Sequence, residues 1–140
     1  MTGILQDTAV QQCIDDCLKC YRMCWSMALT HCLPRGGAHA EPAHVSLMLD
    51  CAQMCETTAR FMLSASTLHT ELCALCAKVC AACAQSCRGL EGMEDCEAAC
   101  RACEASCRAV AGVEGPGAHA DDAMPATGVR GGPPRQGIMG

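Results

Sequence analysis

The sequence predicts an all-α protein, an antiparallel up-down-up-down four-helix bundle with a thiol-lined core and a flexible C-terminal tail. Three observations carry the prediction. In four segments cysteine, with methionine and small apolar residues, recurs at alternating intervals of three and four, the spacing that stacks side chains on one face of a helix. The segments are separated by breakers: Pro34, Gly36 and Gly37; Ser64, Ser66 and Thr67; Gly89 and Gly92. Beyond Gly112 the period stops in a stretch rich in Gly, Pro and Ala, which favours a mobile chain. Residues 1–112 are therefore expected to form the bundle and 113–140 a Gly/Pro-rich disordered tail.

The first helix should start at Thr8, because Thr8, Ala9, Val10 and Gln11 have the form of a capping box, with Thr8 as N-cap and Gln11 reaching back. Its inward line reads Val10, Cys13, Cys17, Cys20, Cys24, Met27, His31, with Cys32 one residue off. A second stripe, Ile14, Leu18, Tyr21, Trp25 and Leu29, reads either as an oligomer contact or as packing against flanking helices. Pro34, Gly36 and Gly37 end this helix and open a loop holding His39, and Pro42 suits the first turn of the second helix. There the inward line is His44, Met48, Cys51, Cys55, Thr58, Met62, Ala65, so this helix is poor in cysteine. After Ala65 the rhythm would give positions 69 and 72, but the next cysteine is Cys73. That slip falls on the capping residues Ser64, Ser66 and Thr67, which places a turn there.

The third helix follows His69 and carries Cys73, Cys76, Cys80, Cys83 and Cys87, the densest stripe of the chain. Gly89 and Gly92 break it, and Glu94 and Asp95 favour a new helix start through the helix dipole. The fourth helix runs Met93, Cys96, Cys100, Cys103, Cys107, Val110 and stops at Gly112. Four helices of this length, each about 30 Å, pack antiparallel when joined by short loops, with every stripe facing the common axis.

The 140 residues hold 16 cysteines, nine methionines and five histidines, but one Trp, one Tyr and one Phe, so sulfur must fill the volume that aromatic rings usually fill. A secreted disulfide scaffold is the first alternative. Against it, residues 1–12 carry no charged n-region, apolar h-region or twin arginine. Helical neighbours three or four apart also have β-carbons about 5 to 6 Å apart, farther than the about 3.5 to 4.5 Å of a disulfide. A cytoplasmic chain with reduced thiols is expected. The net charge of −5 argues against a nucleic-acid role, and no basic run or aromatic platform contradicts that. No apolar run approaches the about 18 residues of a membrane span.

A non-enzymatic, metal-binding core follows. Thiolate and thioether ligands select Cu(I) among biological metals. One monovalent ion per thiolate leaves a neutral interior and avoids the cost of burying unpaired charge. Intra-helical pairs such as Cys13 with Cys17, Cys20 with Cys24, Cys51 with Cys55, Cys76 with Cys80, Cys83 with Cys87, Cys96 with Cys100 and Cys103 with Cys107 are natural two-coordinate sites. The candidate ligands are these fourteen with Cys32 and Cys73, joined by His31, His44 and Met48. Zinc is the nearest metal rival, but it wants closed tetrahedral sites, and the ladders show no obvious grouping in fours. An iron–sulfur site is a second: residues 73–83 superficially match a ferredoxin run, yet the spacers differ and Arg88, not proline, follows Cys87. A thioredoxin-like centre lacks its strand pattern, and inert packing of the thiols is the remaining alternative.

In an up-down-up-down bundle, the end of the first helix and the start of the second share one mouth with the end of the third and the start of the fourth. That mouth should collect Met27, His31, Cys32, His39, His44, Met48 and Met93, whereas the opposite end has His69 and Met62. Imidazole and thioether ligands exchange copper without waiting for a thiol proton to leave. The crowded mouth is therefore the expected route in and out, the alternative being that the methionines cap the core and the loop histidines are solvated.

Repeated CxxxC pairs on every helix, the absence of an export signal and a His/Met cluster at one end together make residues 10–111 resemble the cytosolic copper storage proteins. These are bacterial four-helix bundles that fill their core with Cu(I). The resemblance implies Cu(I) storage or detoxification through Cys pairs and a homotetramer. The departures are the second helix, with only two cysteines, and the long tail, and both leave the ion count open.

Overall fold

The computed structural model describes residues 7–112. The expected tail, 113–140, lies outside the described residues. The chain forms α1 (Thr8–Met27), which continues through a π-helical turn (Ala28–Cys32) and a last piece (Leu33–Arg35). A 3-10 turn (Gly37–Ala40) leads to α2 (Pro42–Leu63), followed by α3 (His69–Cys87) and α4 (Glu94–Ala111). Helix α1 packs against α2 and α4, and α3 packs against the same two. This is the square section of a four-helix bundle, and the short connections make neighbours antiparallel. No helix among the described residues is long and apolar enough to cross a membrane.

The start of α1 departs from expectation by one residue. Asp7, not Thr8, is the N-cap, its carboxylate accepting the Ala9 N–H at 2.8 Å. Thr8 is already helical, and an aspartate one position earlier satisfies the same orphan donors.

The end of α1 holds the larger difference. In an unbroken α-helix, His31 would follow Cys24 on the inward line and Cys32 would stand about 100° to one side. The structure inserts a wide turn in which the Leu33 N–H reaches back five residues to the Ala28 carbonyl. Pro34 supplies a local reason, since it has no N–H for the Thr30 carbonyl, and the Thr30 hydroxyl adds a 2.7 Å bond to the Ser26 carbonyl. The extra residue rephases the helix. Ala28 and Cys32 become fully buried, while Met27 and His31 move to the flank and are only half-buried. A π-turn of this kind often marks a functional position.

At the end of α2, Ala65 also leaves its expected place. It is exposed rather than inward and adopts a left-handed φ of 55°. Its N–H bonds the Met62 carbonyl while the Ser66 N–H bonds the Phe61 carbonyl, closing a Schellman cap. The remaining inward residues of α2, from His44 through Met62, are buried as expected.

Among the described residues no Phe, Tyr or Trp side chain is buried. Ala52, Ala59, Ala77 and Ala84 flank the sulfur lines and are fully buried. Their single methyl groups let the four helices close until sulfurs of opposite walls touch. The second stripe of α1 turns outward along its length: Ile14 is buried, Leu18 and Tyr21 are half-buried, and Trp25 and Leu29 are exposed.

Candidate metal centre

All sixteen cysteines are free thiols, and none has more than 1% of its surface exposed. Four of the expected intra-helical pairs lie within contact: Cys13 to Cys17 at 4.0 Å, Cys20 to Cys24 at 3.8 Å, Cys76 to Cys80 at 3.9 Å and Cys103 to Cys107 at 4.0 Å. The shortest contacts cross between helices. Cys24 reaches Cys100, Cys55 reaches Cys80, and Cys103 reaches Cys17, each at 3.5 Å. Cys51 sits 3.9 Å from Cys20 and 3.8 Å from Cys80, and Cys96 sits 3.6 Å from Cys24. A thiol in this core therefore belongs to the space between walls as much as to its own helix.

The structure also corrects the reading that the ladders show no grouping in fours. Cys17, Cys76, Cys103 and Cys107 form one set whose sulfurs all lie within 4.8 Å of one another. Cys20, Cys24, Cys51 and Cys100 form a second, and Cys20, Cys55, Cys80 and Cys103 a third that takes one cysteine from each helix. Cys13, Cys73 and Cys107 close the far end as a set of three. These sets are built from residues up to 94 positions apart, so no spacing along one helix reveals them. They also overlap. Cys20, Cys103 and Cys107 each serve two sets, so the core is a continuous sulfur lattice rather than a row of closed sites.

Electrostatics limit what can occupy it. Among the described residues no lysine or arginine is buried, so nothing fixed compensates negative sulfur. Hydrogen bonds with Cys103, then Cys20 and Cys51, together with burial, hold the Cys80 thiol well above the usual range. Burial first, then the neighbouring Cys96 and Cys83, pushes Cys32 up. Cys83 goes the other way, to about 6, chiefly because Cys100 and then Cys24 hydrogen-bond to its thiolate. Burial and S–H bonds between neighbours thus push the thiols of the empty core in opposite directions, some held protonated and others stabilised as thiolates. Exchanging an S–H proton for a monovalent cation leaves the interior charge unchanged, whereas a divalent ion in four thiolates leaves two uncompensated negative charges per site.

At the end where α1 and α2 meet the loop between α3 and α4, the chemistry changes. Cys32 Sγ lies 3.7 Å from Met48 Sδ, 3.6 Å from Met93 Sδ and 3.5 Å from His44 Nε2. Burial holds His44 below its ordinary pKa, and its Nδ1 is 2.6 Å from the Ser86 hydroxyl. His31, expected on the inward line, is placed outside this group. Its Nε2 donates to the Glu91 carbonyl at 3.2 Å, and His39 Nε2 donates to the same oxygen at 2.8 Å. The two rings meet edge to face at 5.3 Å, and the Arg35 guanidinium pairs with the Glu91 carboxylate above them. Gly92 passes beneath His31 so closely that a β-carbon there would lie 2.9 Å from the ring. Met93, Ser86 and the Glu91 carbonyl complete this end. Met93 stood in the sequence pattern, whereas Ser86 and a backbone oxygen gave no signal.

The opposite end is poorer in donors. Met62 Sδ lies 3.8 Å from Cys73, and His69 turns away to bond the Ser66 carbonyl at 2.8 Å. Thr58, in the inward line of α2, keeps its buried hydroxyl without a partner.

Comparison with known proteins finds the same pattern elsewhere. The family described as copper storage protein, Csp, matches residues 6–112. The chain is 33% identical over 88 residues to the uncharacterized cysteine-rich protein YhjQ of Bacillus subtilis (strain 168), covering 63% of this chain and 80% of the relative. The crystal structure of the Nmul_A1745 protein of Nitrosospira multiformis superposes with a TM-score of 0.75 at 48% identity, covering 77% of this chain and 99% of that one.

Proposed function

Because the chain belongs to the copper storage protein family, we propose that it is a non-enzymatic reservoir whose core thiolates sequester many Cu(I) ions in the cytoplasm. The observation that carries this reading is the lattice of sixteen buried, unbridged sulfurs in overlapping sets, with no buried lysine or arginine among the described residues. Overlapping sets suit ions that share bridging thiolates, and monovalent ions alone keep such an interior near neutrality. The sets of four give zinc its best case. Filled as separate closed zinc sites of four thiolates each, the three sets would compete, because they share Cys20 and Cys103. We also propose a homotetramer, with the exposed Trp25 and Leu29 of α1 within its interfaces.

Proton bookkeeping tests the choice of ion. Thiols held above their usual pKa, such as Cys32 and Cys80, bind protons at neutral pH in the empty protein and lose them to copper. In weak buffer at about pH 7, each Cu(I) that displaces a thiol proton releases it, so loading should give up at most one proton per ion. Protons compete, so copper affinity should rise with pH through the ordinary thiol range and continue rising above it, because these thiols titrate late. A zinc core would instead release several protons per ion.

The mouth formed by His31, Cys32, His44, Met48 and Met93 is proposed as the route of uptake and release. Cys32, Met48 and Met93 have no exposed surface, so copper traffic requires the groups that cover them to move aside. Replacing His31 and His44 together by Ala should slow chelator-driven removal several-fold while leaving capacity nearly intact. Removal at the wild-type rate would refute the route.

A further inference from the structure

The mouth reading assigns His44 a ligand role but does not say what makes its ring competent for it. An imidazole offers a lone pair at one nitrogen only, and the proton on the other decides which. Nε2 is the nitrogen that faces the sulfurs: it lies 3.5 Å from Cys32 Sγ, around which Met48 Sδ and Met93 Sδ stand at 3.7 and 3.6 Å. For Nε2 to meet a cation among those sulfurs, the ring proton must sit on Nδ1. The atom beside Nδ1 is the Ser86 hydroxyl oxygen, 2.6 Å away on α3, and His44 itself is 6% exposed. Water is thereby kept from setting the tautomer in its place.

Resting on the mouth reading, we propose that Ser86 is a positioning residue for copper exchange. Its oxygen accepts the His44 Nδ1–H, fixes the tautomer with a free Nε2, and aims that lone pair at the space between Cys32, Met48 and Met93. A side-chain partner behind a ligating histidine commonly changes metal affinity or activity by about ten-fold or more when removed. The bond also ties α2 to α3 at the mouth. Without it the ring is free to turn its N–H toward the Cys32 sulfur, the arrangement that opposes a cation.

Two measurements on the full-length protein test this. Long-range proton–nitrogen correlation spectra of the reduced, copper-free protein should show His44 with its proton on Nδ1, and Ser86→Ala should shift the ring toward the Nε2–H form. Cu(I)-loaded protein is then challenged with excess of a strong Cu(I) chelator. Ser86→Ala should slow copper removal about five- to ten-fold with capacity unchanged, Ser86→Thr should restore the wild-type rate because it keeps the hydroxyl, and His44→Ala should be at least as slow as Ser86→Ala. An Nε2–H tautomer in the wild type overturns the proposal, as does wild-type exchange by Ser86→Ala beside slow exchange by His44→Ala. Wild-type exchange by His44→Ala overturns the mouth reading itself, and Ser86's role with it.

Discussion

Protein loaded with Cu(I) should unfold about 20 °C or more above the empty form. A ligand that favours the folded state by a thousand-fold adds about 4 kcal/mol of stability, and each kcal/mol raises the midpoint of a domain near 100 residues by about 4 to 8 °C. The unfolded chain also offers reduced thiols, which lowers the gain per ion. The folded core nevertheless brings sets of four sulfurs within 4.8 Å of one another, an arrangement that the unfolded chain can reach only at an entropic cost. Loading further replaces protonated thiols held by weak S–H contacts with metal–sulfur bonds that tie different helices together. Anaerobic thermal scans by circular dichroism check this, and an unchanged midpoint would mean that copper binds outside the core.

The second large effect concerns capacity. Cys20 contacts Cys24, Cys51 and Cys100 at 3.7 to 3.9 Å, and Cys103 contacts Cys17, Cys55 and Cys107 at 3.5 to 4.0 Å. Both belong to the set that draws one cysteine from each helix, and each belongs to a second set as well. Replacing both by Ala should lower capacity by at least about two ions, one per lost thiolate. The loss should exceed that wherever an ion bridged the missing sulfurs. Each substitution removes one buried heavy atom from a packed core, so the empty protein should lose about 1 to 2 kcal/mol per site yet still fold. Ala is preferable to Ser, whose hydroxyl would be buried among sulfurs with poor partners. Capacity equal to wild type would show that these central thiols are packing.

The bundle and its thiol lining were readable because helix periodicity is local. Cys73, Cys76, Cys80, Cys83 and Cys87 declare a face without reference to any other segment, and all five are buried. Periodicity fails where the helix stops being regular. The π-turn at Ala28–Cys32 exchanges the places of His31 and Cys32, and only the combination of Thr30 and Pro34 hinted at it. The end-to-end placement of His44, Met48 and Met93 followed from topology, since antiparallel helices joined by short loops must bring those positions together. What topology cannot supply is rotation and reach. The sets of four depend on how far neighbouring helices approach, which the small residues Ala52, Ala77 and Ala84 decide. The partnership of His44 with Ser86 depends on the facing rotation of α2 and α3. The clasp of His31 and His39 on one Glu91 carbonyl involves a backbone atom, which every residue carries and no pattern marks.

Copper stoichiometry is the sharpest test of a core filled with Cu(I). The reduced, metal-free protein would be titrated anaerobically with Cu(I) while free ion is followed with a competing chelator. At roughly one ion per thiolate, none should escape to the chelator until more than about ten ions are bound per chain. Saturation at about one to four ions, the number that separate tetrathiolate or cluster sites would accept, would contradict it.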